Sequence, residues 1–150
     1  MDVRKPVWMA ALAATVILCA LAATALAQEN DEDKAVTAVV EKLFAALNRA
    51  DVDTALDCFM FPLLAIRVPE TAELPPEQNT FDTAEDLRPE IDTGATNVEL
   101  KDVKLVYRRG PIAAVSGTVA EEGNEVGQVL FVLGKSLDKG WQIKVIFIPG

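Results

Sequence analysis

Few side chains in this chain are suited to chemistry. It has no histidine among 150 residues and only two cysteines, and its serines are Ser116 and Ser136. Without an imidazole there is no Ser-His or Cys-His pair to make a nucleophile, and no histidine metal site. Neither GxGxxG nor GxxxxGK[ST] occurs, so the common nucleotide cradles are absent. Carboxylates abound in "DEDK" (31–34), "TAEDL" (83–87) and "EEGNE" (121–125). Those stretches are polar, and solvated surface and helix caps account for them better than acid–base chemistry does. Outside them the conceivable proton donors and acceptors are Asp57, Glu99 and Tyr107, the only tyrosine. Arg67, in "LLAIRV", offers a planar fork of donors suited to an anion. Cys58 follows an apolar helical stripe and reads as a small buried hydrophobe rather than a nucleophile. No metal and no cofactor is expected from this set.

The elements that position these residues begin after a leader. Arg4 and Lys5 precede an uncharged run from Val7 to Ala27, and "ALAQ" (Ala25 to Gln28) supplies a small-x-small cleavage site. Residues 1–27 therefore read as a signal peptide cut after Ala27, placing the product in the periplasm or outside the cell. A retained anchor is the alternative, because the run is long enough to span a bilayer. Leu18 before Cys19 does not fit a lipidation site. After cleavage no membrane contact is expected, and Cys58 is left without a disulfide partner. Acidic residues outnumber basic ones 23 to 14, a formal net charge of −9. That balance speaks against nucleic acid, which needs a basic stripe.

Residues 28–34 form an acidic lead-in without periodicity, read as a flexible terminus. The folded domain spans residues 35–150. Val36, Val40, Leu43 and Leu47 recur at helical steps, and Asp51 or Asp53 caps a second helix over about Val52 to Phe59, which Pro62 ends. "LLAIRV" (63–68) suggests a short strand. "PETAELPPEQN" reads as a loop, and "FDTAEDLRPEI" as a third helix, capped by Asp82 or Thr83 and limited by Pro89. Beyond it, "VELKDVKLVY", "IAAVSGTVA", "EVGQVLFVLGK" and "WQIKVIFI" are four strands joined by short turns, an antiparallel meander. Leu100 is out of phase with Val103, Leu105 and Tyr107, which hints at a bulge. Helices followed by a meander make an α+β domain. "VLFVL" (129–133) and Ile146 to Ile148 are apolar on both faces, so the outer sheet face should be covered, most simply by a second copy of the chain.

The stretch "TAVVEKLFAALNRADVDTALDCF" (Thr37 to Phe59), with support from "FDTAEDL" and "KGWQI", resembles the NTF2-like superfamily, which includes SnoaL-like and ketosteroid-isomerase-like domains. The resemblance implies a cystatin-like cone, with three N-terminal helices packed on a curved antiparallel sheet around a pocket. In the isomerases of that family a helix-1 tyrosine, a strand carboxylate and a protonated aspartate do the chemistry. The matching positions here are Leu43 and Arg67, and Val126 to Gly134 contains no Asp or Glu. Leucine donates no hydrogen bond and arginine accepts no proton, so the isomerase mechanism is not expected.

The resemblance places Leu43, Phe44, Leu47, Phe59, Arg67, Tyr107, Val129, Phe131 and Trp141 around the cone's interior, together with Val115, Ile143 and Val145. Two non-catalytic readings follow. One is a binding domain for a small apolar, amphipathic or anionic ligand, with Arg67 as its polar anchor. The other is a homodimeric interaction module working through its outer sheet face. An isomerase-, dehydratase- or cyclase-type enzyme with a different residue set is the third reading.

Overall fold

A computed structural model describes the backbone of residues 7–71, 73–92 and 97–150, and side chains from residue 28 onward within those ranges. The leader and its cleavage site fall outside the described side chains. The chain divides into two units, residues 1–34 and 35–150. Helix α1 is assigned over Val7–Asn48. The acidic stretch 28–34, expected to be irregular, is part of that helix. Its Gln, Glu and Lys residues are good helix formers, so local propensity accounts for the difference.

Within residues 35–150, α1 buries Val36, Val40, Leu43 and Ala46. The apolar stripe is therefore the one the spacing predicts, with Ala46 taking the inward position while Leu47 lies at its edge. Helix α2 (Val52–Asp57) is capped by Asp51, whose Oδ1 accepts the Thr54 N–H at 3.1 Å. Asp53 instead receives Arg88 Nη2 at 2.7 Å, linking α2 to α3.

The chain then turns directly into strand β1 (Phe59–Val68), four residues earlier than expected. Pro62 does not end a helix; it sits inside this strand. It lies between the pairs Phe59↔Ile143 and Leu64↔Val145, where the register shifts. A proline there costs no ladder hydrogen bond. Strand β2 (Glu77–Phe81) pairs antiparallel with β1, so the tail of the proline-rich stretch is ordered as an edge strand.

Helix α3 (Ala84–Asp92) follows this hairpin, so the three helices do not all precede the sheet. Thr83 caps it reciprocally: Thr83 Oγ1 accepts the Asp86 N–H at 3.3 Å, and Asp86 Oδ2 accepts the Thr83 N–H at 3.0 Å. The helix continues three residues past Pro89. Proline's fixed φ is compatible with a helix, and Leu87 and Ile91, one turn apart, anchor both sides of it to the core.

Four strands complete the domain: β3 (Val98–Arg109), β4 (Ile112–Glu121), β5 (Asn124–Ser136) and β6 (Gly140–Pro149). The sheet order is β2-β1-β6-β5-β4-β3. All neighbours are antiparallel except β1 and β6, which run parallel, so the sheet is mixed rather than wholly antiparallel. The bulge suggested by Leu100 is present, as a register shift between Lys101 and Lys104 with Asp102 at φ 53°. Such bulges bend strands and let a sheet curl around its helices.

Candidate functional site

The two faces of the sheet can be followed residue by residue, because side chains alternate along a strand. Phe59 and Leu63 of β1, Val115 of β4, Val129, Phe131 and Leu133 of β5 and Ile143 of β6 turn inward and are buried with the helices. Leu64 and Ile66, Leu130 and Val132, and Val145 and Phe147 occupy the alternate positions, in register across β1, β6 and β5. Val145 thus faces outward, since the shift between Val132 and Leu133 moves it one step. Ala114 and Ser116 extend this outer surface on β4.

Seven of the nine residues expected around the interior meet there. Leu43, Phe59, Val129, Phe131 and Trp141 are buried in one cluster, and Phe44 and Leu47 pack against it. Phe44 meets Phe131 edge to face, with ring centroids 6.1 Å apart. Lys135 Nζ lies 5.8 Å from the Trp141 ring centroid, a cation over an aromatic face. The seven side chains thus belong to one hydrophobic cluster beneath the helices.

Arg67 and Tyr107 lie elsewhere. Tyr107 is 51% exposed and pairs with Ala114 on the outer face. A second register shift, between Leu105 and Tyr107, moves it off the side occupied by Leu105. Arg67 shares the inner side of β1 but stands at the strand's far end. Its side chain is 60% exposed and meets Glu77 at 3.9 Å, a long surface pair of small energetic weight. It lines a groove of about 520 Å³ with Pro69, Glu70, Thr71, Leu74, Pro75, Glu77 and Gly150. A second depression, of about 460 Å³, shares Glu70 and Gly150 and opens over Val68, Ser116, Gln128, Leu130 and Phe147.

The core's only buried polar or charged side chain among the described residues is Gln142. Its Nε2 donates to the backbone carbonyls of Asp57 at 3.1 Å and Phe59 at 2.9 Å. Gln142 thereby fastens the end of α2 and the start of β1 to β6, a structural role that sequence spacing did not signal. Asn48 acts similarly, donating to Val98 O at 2.7 Å and accepting the Val98 N–H at 2.9 Å. It closes α1 onto β3 as a strand would, and it accounts for the asparagine in "AALNRADVDTALDCF". The buried thiol of Cys58 donates to Thr54 O at 3.4 Å. Burial pushes its pKa up, away from the thiolate a nucleophile needs. Asp57 and Glu99 are exposed. No described group of three or more His, Cys, Asp or Glu is arranged to hold a metal.

Solved structures of the same architecture include a cystatin-like fold protein from Burkholderia xenovorans, with a TM-score of 0.59 at 16% identity over 79% of this chain and 91% of that one. An NTF2-like protein of unknown function from Pseudomonas putida gives 0.59 at 11% identity, over 79% and 85%. A ketosteroid isomerase-like protein from Erwinia carotovora atroseptica gives 0.52 at 20% identity, over 80% and 96%. This chain therefore has the NTF2-like, cystatin-like fold. No family model and no curated protein matches the sequence.

Proposed function

We propose that the chain is an exported, non-catalytic NTF2-like domain that works by association, two copies meeting through their outer sheet faces. The observation that carries this reading is the outer face itself. Leu64, Ile66, Val145, Phe147, Leu130 and Val132, each half-buried in the single chain, form an apolar surface across three adjacent strands, with polar Thr80, Gln78 and Ser116 beside it on the flanking strands and the exposed Lys144 next to Val145. An apolar surface of that kind with a polar rim is typical of a contact site. A two-fold pairing of one such face with its own copy closes the assembly at two subunits. The apolar interior supports the non-catalytic part, because among the described residues it offers no buried ionisable side chain except the Cys58 thiol, whose pKa burial pushes up. Export rests on the uncharged run from Val7 to Ala27 and the site at Ala25 to Gln28.

Sedimentation equilibrium of the wild type beside Phe147→Lys and Leu130→Lys tests the association. Both variants place a cation on the outer face and leave the helix-covered face untouched. The expected result is a wild-type dimer and folded monomeric variants. Variants with the same mass as wild type would remove the sheet face from the account.

The Arg67 groove favours a second reading, a small amphipathic ligand held at the cone's mouth. Pro69, Leu74 and Pro75 provide an apolar wall, and the long Arg67–Glu77 contact yields easily to a ligand carboxylate. Glu70 and Glu77 line the same groove, so selection would come from the guanidinium fork rather than from net charge. Calorimetric titration with decanoate and decanol separates the cases. Decanoate should bind, and Arg67→Ala should abolish that binding; equal binding of acid and alcohol would dismiss Arg67.

A further inference from the structure

The basic residues of this acidic chain are unevenly placed. The β3–β4 and β5–β6 hairpins turn at the same end of the sheet, where the Lys135 N–H donates to Pro111 O at 2.9 Å. Residues 105–112 and 134–140 contain Arg108, Arg109, Lys135 and Lys139 against the single carboxylate of Asp138. At the opposite end, the β4–β5 hairpin carries Glu121, Glu122 and Glu125 and no basic residue. The basic end also displays apolar side chains. Leu137 is 109% exposed, Ile112 51% and Tyr107 51%. A leucine that bare at the tip of a turn contributes nothing to the domain's own core.

We propose that this end of the sheet docks on an anionic lipid surface, with Leu137 and Ile112 entering the headgroup layer and the exposed Arg109 and Lys139 facing lipid phosphates. The two kinds of side chain together decide the occupant. Cations alone would suit any acidic partner, including the Glu121–Glu125 hairpin of a second copy. Exposed aliphatic tips among the cations suit a partner whose charged surface covers an apolar layer. Tyr107, with an apolar ring and a polar tip, is a residue type favoured at that boundary. The proposal is independent of the dimer, since it uses hairpin tips rather than the strand centres.

The test is co-sedimentation of the protein, purified from its host's soluble fraction, with vesicles of phosphatidylglycerol and phosphatidylcholine or of phosphatidylcholine alone. Binding is expected on the anionic vesicles only, weakening as salt is raised. The double variants Arg109→Glu/Lys139→Glu and Ile112→Ser/Leu137→Ser should each reduce it by about tenfold or more. All four positions are exposed, and circular dichroism verifies that the variants are folded. Equal binding to both vesicle types, no binding to either, or full retention in either variant would overturn the proposal. If charge reversal instead abolished a higher oligomer of the protein without lipid, the occupant would be the acidic end of another copy.

Discussion

Truncating Phe131 to alanine distinguishes a packed cone from an open one. Phe131 is 2% exposed, centrally placed on β5 and in edge contact with Phe44. Removing a buried ring of this size forfeits about 2 kcal/mol of transfer free energy. If the surroundings hold, a residual cavity of about 80 Å³ at about 24 cal/mol per Å³ adds about 2 kcal/mol more. The lost aromatic pair contributes about a further 1 kcal/mol. Phe131→Ala should therefore lower unfolding free energy by about 4–5 kcal/mol in urea titration, a large part of a small domain's stability. An apolar cavity of that size takes up a small apolar guest such as xenon, so xenon should stabilise the variant and leave the wild type unchanged. Were Phe131 instead the wall of an open pocket, only part of the ring would be lost from contact. A loss below about 2 kcal/mol, or stabilisation of the wild type by xenon, would refute a filled interior.

Two other substitutions probe the supports of the fold. Gln142→Leu leaves the carbonyls of Asp57 and Phe59 without this donor and should cost about 2–3 kcal/mol in the same titration; Gln142→Glu, which turns acceptors toward acceptors, should cost more. Asp51 has its carboxyl pKa lowered by hydrogen bonds from the Thr54 hydroxyl and N–H. A carboxylate with a lowered folded pKa stabilises above its unfolded value, and that contribution disappears as pH falls through the folded one. The melting-temperature gap between wild type and Asp51→Ala should thus be constant near neutrality and narrow once pH drops below the ordinary aspartate range, whereas a gap that widens in acid would reverse the assignment.

Much of this architecture is legible in the residues themselves, for identifiable reasons. Val36, Val40 and Leu43 recur at helical spacing and are all buried, and the turns at "RRGP", "EEGN" and "SLDKG" separate the strands found on either side of them. Leu100, out of phase, marked a real bulge. What remained hidden depended on pairing rather than pattern. Pro62 reads locally as a helix stop, and only the irregular β1–β6 register shows why a strand tolerates it. Tyr107 and Val145 follow the inward alternation by sequence, yet register shifts one step away turn both outward. A one-residue slip reverses every side chain beyond it, and nothing in the sequence around Tyr107 announces the slip. Arg67 falls on the same side of β1 as Leu63 but at the strand's end, where its side chain is largely exposed beside Glu77, and the length of β1 beyond Leu63 is visible only once its pairing with β6 is known.

Association through the outer sheet face can be read from native mass spectrometry of the protein purified from its host's soluble fraction. A dimer of chains beginning at Gln28 is expected, dissociated to monomers by Phe147→Lys. A wild-type protein that remains a single chain at micromolar concentration, or whose mass is unaffected by that substitution, would contradict it.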